Sequence, residues 1–564
     1  MQKITSSTPV PGLTAWIAAV LLLPLSAAEP RRPNVLFICV DDLKPLLGCY
    51  GSKTVKSPGI DRLAARGVVF DHAYCNQAVC APSRNTLMTG IRPTTLGIYD
   101  LGTNFRLAAP EAVTLSQHFL NHGWRAEAVG KILHVGHGNV EDPASWSVPH
   151  WGVKSIEYAV SDSRAKEGLS REEALFDNKS PAGLSRGAAW ENPDVPDETY
   201  SDGRLAAEAI RRLRGTRERP DTPFFLAVGF VKPHLPFCAP KKYWDLYDPA
   251  TLPLAERRTV PDDAPAYAPQ SSGELRQYQG IPETGPMPDD LQRRLVHGYH
   301  ASVSFMDAQL GKVLDELDRL KLTDSTIIVL WGDHGWHLGD HGMWCKHTNY
   351  EEATRIPLLI CAPGVSKPGS HSAAMVETVD IYPTLNELAG LPAPQGSPPL
   401  EGRSMVSLLR DPSAPGKDHI MHVYPRTKPG TGAVLGRAVR TLTHRLVEWK
   451  VPGAPPDKAD LELYDYVNDP LETTNLAASQ PQLAAGLRAM LDAYGEAKPQ
   501  IKSSRDRMFE KRDTNKDGKL SWQEFLVDQP DPQATPLRFN RFDINKDNEL
   551  SREEFVSQGG IKTR

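Results

Sequence analysis

Apolar runs of strand length recur along the first 360 residues, at 34–40, 124–129, 224–230, 326–331 and 357–361. Most do not alternate with polar residues, which predicts strands covered on both faces, as in a parallel sheet. Between them the apolar residues return at helical spacing. A short helix is expected at 58–67, with Ile60, Leu63 and Ala64 on one face, and another at 114–122, stopped by Gly123. A third is expected at 199–214, through Leu205, Ala206, Ala209, Ile210 and Leu213. A long amphipathic one comes next at 299–322, through Val303, Met306, Leu310, Val313, Leu314 and Leu317. Strand and helix in alternation predict a large doubly wound mixed or parallel α/β sheet. Residues 136–200 and 238–290 are rich in Pro, Gly and charge and read as loop excursions. From about 412 the pattern changes to short strands at 422–424, 438–442 and 445–450, then a helix at 480–494, the pattern of a small antiparallel α+β subdomain. The expected division is a signal at 1–28, a catalytic α/β domain at 29–411, a C-terminal subdomain at 412–498 and a paired calcium-loop tail at 499–564.

The strands run out into polar groups of unusual density. The first ends in Asp41-Asp42, the second in Gly130-Lys131 with His134 close behind, the third in Lys232-Pro233-His234, and the fourth in Gly332-Asp333-His334. In open α/β sheets ligands bind at the carboxyl ends of strands. Carboxylates adjoining buried strands are costly unless a cation offsets them. Asp41, Asp42 and Asp333 are hard oxygen donors suited to Ca²⁺ or Mg²⁺. Arg84, Lys131 and Lys346 are cations for an anionic substrate, and His134 and His234 are candidate proton carriers. His337, His341 and His347 lie in the same region without an assigned role, and His337 or His341 is a candidate for the pocket wall.

Composition narrows the class. A net charge of −5 over 564 residues gives no field that would favour nucleic acid. Lys3, the apolar stretch 15–25 and Ser26-Ala27-Ala28 form an export signal, so a periplasmic or extracellular protein is expected, with no stable membrane insertion after cleavage. The seven cysteines show no disulfide-framework spacing, and Cys39 and Cys361 lie in apolar runs suited to the core. With Cys80 set aside, six remain, which allow 15 pairings.

Cys80-Ala81-Pro82-Ser83-Arg84, continued through Met88-Thr89-Gly90, puts a thiol beside an arginine at an expected helix start. The stretch meets in full the signature C-x-P-S-R-x-x-x-L/M-T-G, and by it the chain resembles the type I sulfatases. The resemblance implies that a formylglycine-generating enzyme oxidises Cys80 to formylglycine, whose hydrate is the nucleophile. It makes Asp41, Asp42, Asp333 and His334 the ligands of one Ca²⁺, with the modified Cys80 completing the shell. Lys131 and His134 would hold the hydrate and take its proton. His234 and Lys346 would bind the sulfate and the bridging oxygen. His334 stands where many members of the family carry Asn, whereas the iduronate-2-sulfatase-like branch uses His there. Asp41-Asp42-Leu43, Gln77 through Arg84, Lys232-Pro233-His234 and Asp333-His334-Gly335-Trp336 also look like that branch. The implied substrate is a sulfated polysaccharide or oligosaccharide bearing uronate 2-O-sulfate.

The tail carries two loops of calcium-binding pattern. Asp513, Asn515, Asp517, Lys519 and Glu524 fit positions one, three, five, seven and twelve of an EF-hand, with Gly518 at six. Thirty residues on, Asp543, Asn545, Asp547, Glu549 and Glu554 repeat the pattern, with Asn548 in place of the glycine. Asn tolerates the left-handed backbone that position needs. Up to two further Ca²⁺ are expected there, with Phe509, Phe525, Phe542 and Phe555 sharing a core. Two alternatives stand beside the sulfatase reading: a formylglycine-dependent phosphodiester or phosphonate hydrolase on the same fold, and a non-catalytic Ca²⁺-dependent polysaccharide-binding protein.

Overall fold

A computed structural model describes residues 32–152, 156–165, 170, 173–174, 184–396, 398–527, 535–543 and 545–558. The expected signal at 1–28 lies outside the described residues. Seven strands form the main sheet: β1 (Asn34–Val40), β2 (Val68–Tyr74), β3 (Arg125–Gly130), β4 (Phe224–Phe230), β5 (Thr326–Gly332), β6 (Leu358–Cys361) and β7 (Ser370–Glu377). Their order is β7-β2-β6-β5-β1-β4-β3. The sheet is mixed because β6 runs antiparallel to both β5 and β2, while the other neighbours are parallel. All five expected strands are present. The two that the pattern missed, β2 and β7, are broken by half-buried or exposed polar residues such as Asp71, His72 and His371.

Alternate residues of β1 feed two cores, one on each face. Leu36, Ile38 and Val40 pack with helices α1 (Pro58–Ala64), α4 (Ser201–Gly215) and α5 (Asp289–Arg319). Val35, Phe37 and Cys39 pack with α2 (Cys80–Thr89), α3 (Leu115–Asn121) and α6 (Ile381–Leu388). Helix α5 has 31 residues and starts ten positions before the expected start, with Asp289 and Asp290 in its first turn, where carboxylates suit the helix dipole. Its Asp307 reaches across to α1 and accepts the backbone N–H groups of Gly59 (2.8 Å) and Ile60 (2.7 Å). These are donors that a helix start leaves without intrahelical partners.

The antiparallel sheet β8 (His419–Lys428), β9 (Gly432–Thr441), β10 (His444–Lys450) and β11 (Asp460–Asp465) comes next, in sequential order. Met421, Val439, Leu446 and Leu463 on one face pack against Ala484, Leu487 and Leu491 of helix α7 (Pro481–Asp492). In the tail, β12 (Lys519–Ser521) pairs with β13 (Glu549–Ser551) over a core of Phe509, Leu520, Phe525, Phe539, Leu550 and Phe555. Phe542 packs half-buried at its edge. Asn548 adopts φ 64°, the left-handed backbone the loop pattern requires. All seven cysteines are free thiols. No helix among the described residues is long and apolar enough to cross a membrane.

Replacing Asp307 with Ala strands two buried N–H donors at the start of α1. The expected loss is about 2 kcal/mol or more. It should appear as a lower thermal unfolding midpoint, with Asp307→Asn, which keeps one acceptor, falling between. Equal midpoints for Asp307→Ala and the parent would refute this account of α1.

Candidate active site

Sheet register brings the polar strand ends together. Val40 lies opposite Phe230 on one side and Gly332 on the other, so β1, β4 and β5 end level. On the outer side Gly130 pairs with Gly229. A Cβ on Gly130 (φ +82°) would stand 2.2 Å from the Gly229 carbonyl oxygen, and one on Gly229 would stand 2.1 Å from that of Lys131. Only glycines allow the chain to fold Lys131 in over the strand ends.

Beneath this floor lies Arg84, fully buried in the second turn of α2. Its Nη2 donates to Asp41 Oδ1 (2.9 Å) and its Nε to Asp333 Oδ2 (3.0 Å), while Nη1 donates to the carbonyls of Lys131 and Ile132. Lys131 forms a close ion pair with the other oxygen of Asp41. Burial alone would raise the Asp41 pKa, but Lys131 and Arg84 hold it well below the usual carboxylate range. Asp333 Oδ1 accepts the N–H groups of Asp42 and His334, both at 3.0 Å. Asp42 takes a left-handed backbone (φ 59°), uncommon for a non-glycine residue and frequent at functional sites. Its carboxylate meets Lys346 Nζ at 3.2 Å. Burial nonetheless pushes its pKa up to about 7.

Cys80 is the first residue of α2, after Val79 in extended conformation, and Gly90 ends the helix in the left-handed region. The thiol Sγ lies 3.3 Å from His334 Nε2 and 3.9 Å from Lys131 Nζ. The His334 Nδ1–H donates to the Gly335 carbonyl (3.0 Å). That bond leaves Nε2 facing inward, 3.3 Å from Asp42 Oδ1 and 3.6 Å from Asp333 Oδ1. One donor atom each from Asp41, Asp42, Cys80 and His334 falls within 4.8 Å of the others. Buried carboxylate oxygens turned towards an imidazole lone pair fit a hard divalent cation, which would stabilise all of them together.

The centre opens into a cavity of ≈ 300 Å³ lined by Cys80, His134, His234, Lys346 and residues that no sequence pattern singled out, Leu101, His137, Glu274, Gln277 and Tyr278. His134 Nε2 meets His137 Nδ1 at 3.1 Å. Burial, reinforced by Lys131, holds the His134 ring well below its ordinary pKa and His137 at about 4. His234 donates Nδ1–H to the Leu235 carbonyl and turns Nε2 towards Glu274 Oε1 (3.3 Å). Lys346 Nζ is shared between Asp42 and Glu274 Oε1 (2.8 Å). Of the three unassigned histidines, His347 lines this cavity and the two expected in its wall do not. The His337 ring is engaged by the Thr348 hydroxyl (2.8 Å), and His341 donates to the Leu471 carbonyl (2.7 Å). No spacing pattern pointed to Glu274, because it arrives on the excursion 238–290.

In the tail, Asp513 accepts the N–H groups of Asp517 (3.2 Å) and Gly518 (3.0 Å), and Asp543 accepts those of Asp547 (3.1 Å) and Asn548 (2.9 Å). Glu524 and Glu554 close their loops on the N–H groups of Ser521 (3.0 Å) and Ser551 (2.8 Å). Lys519 and Glu549, both at position seven, pair with each other across the two loops.

A buried thiol at a helix start, a cation-ready donor set and the Lys346 ammonium in the wall of one cavity suit chemistry on an anionic ester. The family model for sulfatases matches residues 33–391. The model described as N-sulphoglucosamine sulphohydrolase, C-terminal, matches 339–494, and EF-hand models match 505–526 and 538–557. Iduronate 2-sulfatase of Homo sapiens is 34% identical over 513 residues, covering 78% of this chain and 90% of that protein. Among solved structures, a phosphonate monoester hydrolase from Silicibacter pomeroyi superposes with a TM-score of 0.63 at 24% identity, over 82% of this chain and 94% of that one. A 2-O GAG sulfatase gives 0.59 at 21%, over 82% and 92%. The two superpositions show the fold. The chain belongs to the sulfatase family, and it is a sulfuric ester hydrolase.

Removing Arg84 leaves Asp41 and Asp333 buried without the guanidinium between them. Arg84→Met should cost about 3–5 kcal/mol, read from the denaturant midpoint. Arg84→Lys keeps the charge without the fork and should recover only part. A Met variant as stable as the parent would show that the two carboxylates do not depend on it.

Proposed function

We propose that this sulfatase is exported and removes 2-O-sulfate from uronic acid residues of a sulfated polysaccharide or oligosaccharide, using formylglycine at position 80 and one Ca²⁺. The observation that carries the reading is the place of Cys80: a full modification signature whose Sγ stands within 4 Å of both His334 Nε2 and Lys131 Nζ. The 34% identity to iduronate 2-sulfatase supports the choice of sugar. Oxidation of Cys80 by a formylglycine-generating enzyme supplies a hydrated aldehyde as oxygen nucleophile, and Ca²⁺ held by Asp41, Asp42, Asp333 and His334 supplies a Lewis acid for the sulfate oxygens.

The chain's own groups do the rest. Lys131, anchored on Asp41, orients the group at position 80. His134, kept neutral by burial, accepts its proton. Lys346 and His234 line the same cavity, where they bind the sulfate and reach the bridging oxygen. Proton delivery there lets the sugar leave as an alcohol. Arg84 does not reach the cavity and holds the carboxylates beneath it. Two further Ca²⁺ bind the tail loops.

Mass analysis of the peptide containing residue 80, from protein made in its own host, should show the aldehyde in place of the thiol. An unmodified thiol in a host that converts other sulfatases would sink the mechanism. Lys346→Ala should lower kcat by about 10²–10³ on a 2-O-sulfated uronate. Activity confined to other sulfated sugars would redirect the substrate assignment. In calorimetry with Ca²⁺, the full-length Glu524→Gln/Glu554→Gln variant should retain one binding event. Adding Asp42→Asn should remove it, and a persisting event would place that ion elsewhere.

A further inference from the structure

A cavity built for an anion carries an acid in its wall. Glu274 touches the two groups proposed for the sulfate, Lys346 Nζ at 2.8 Å and His234 Nε2 at 3.3 Å, and its second oxygen lies 3.8 Å from His347 Nε2. Its side chain is 21% exposed, and among the described residues that second oxygen is buried without a hydrogen-bond partner. We propose that Glu274 is a specificity-determining residue: it sets the charge of the cavity to suit a monoanionic ester and to disfavour a dianionic one. The inference rests on the sulfatase reading above and deepens it.

The charges of the centre support this. Three aspartates, Asp41, Asp42 and Asp333, face three cations, Arg84, Lys131 and Lys346, all buried. Glu274 is a fourth carboxylate. Among the described residues, the one ammonium in ion-pair reach of it is Lys346, which already serves Asp42. The neighbouring imidazoles lie farther from its carboxylate than Lys346 does, at 3.3 Å for His234 and 3.8 Å for His347. Whatever charge the centre holds with its cation, Glu274 makes the cavity one unit more negative. A sulfate ester carries one negative charge there, whereas a phosphate monoester carries close to two at neutral pH. Each extra ligand charge meets the field of Glu274 at short range in a low-dielectric wall.

The carboxylate is also fixed. The Gln270 side chain donates to the Trp344 carbonyl and accepts the Ser272 N–H, and the Trp344 N–H donates to Ser272 Oγ (3.0 Å). These bonds latch the excursion onto the short strand Trp344–Cys345, which directly precedes Lys346. Arg276 ties the other side of the loop to the carbonyls of Ser271, Pro282 and Gly285. Glu274 and Lys346 are therefore positioned by one joined unit.

The test compares the parent with Glu274→Gln, Glu274→Ala and Glu274→Asp, each first checked by thermal unfolding. Calorimetry gives the affinities for sulfamate, a monoanion, and inorganic sulfate, a dianion. Kinetics gives kcat/KM for nitrophenyl sulfate and nitrophenyl phosphate. Either uncharged variant should move both ratios towards the dianion by about tenfold or more, and Glu274→Asp should hold them within about twofold. Unchanged ratios without the carboxylate would overturn the proposal, as would an equal shift in Glu274→Asp. A parent that leaves both nitrophenyl sulfate and a 2-O-sulfated uronate intact would instead count against the sulfatase reading, and the binding ratios would still report on Glu274.

Discussion

The guanidinium of Arg84 is the interaction on which the rest of this centre depends. Three strands end level, and two of them deliver carboxylates into a region from which water is excluded. Left alone, Asp41 and Asp333 would repel each other and drive those strand ends apart. Arg84 answers both with one planar fork and spends its remaining donors on the carbonyls just after β3. A lysine could not reach four acceptors in a plane. Because Arg84 sits four residues after Cys80 on the same buried helix, the bonds that anchor it also fix the helix start that carries the thiol. Position 80 is thus set by an electrostatic lock one helical turn away. Arg84 of the signature has a structural function in the folded protein.

Much of this was legible in the sequence, for a physical reason. Strands covered on both faces must be apolar throughout, so β1, β4 and β5 stand out, and the polar groups at their ends mark the carboxyl edge without any knowledge of topology. The spacing of the tail loops was equally direct, down to Asn548 in the left-handed region. Strands β2 and β7 were hidden because they lie towards the edge of the sheet and keep polar residues on their less buried face. The first third of α5 was hidden because Arg293, Arg294 and His297 dilute the apolar stripe that Leu295 and Val296 continue. His137 and Glu274 could not be read at all. They enter the cavity from irregular segments, where no periodicity constrains which residue points inward. The same limit explains why His337 and His341, close to the motif in sequence, belong to another packing environment, while His347 reaches the cavity.

That contrast divides the site into two kinds of residue. Those at strand ends are held by sheet register, by glycines that permit close approach and by buried ion pairs, so their geometry tolerates little change. Those from the excursions, His137, Glu274, Gln277 and Tyr278, are held by hydrogen bonds between loops, which can be rebuilt with other side chains at small cost. A family can keep the first group and vary the second, retaining attack on an anionic ester while changing what lies beyond the reacting atom. The strand ends set what kind of bond can be broken, and the charges and shapes of the excursions set which ester reaches it. Glu274, which reaches Lys346 and His234 from an excursion, belongs to the second kind, because it brings a carboxylate to the cavity wall from a segment that sheet register does not hold.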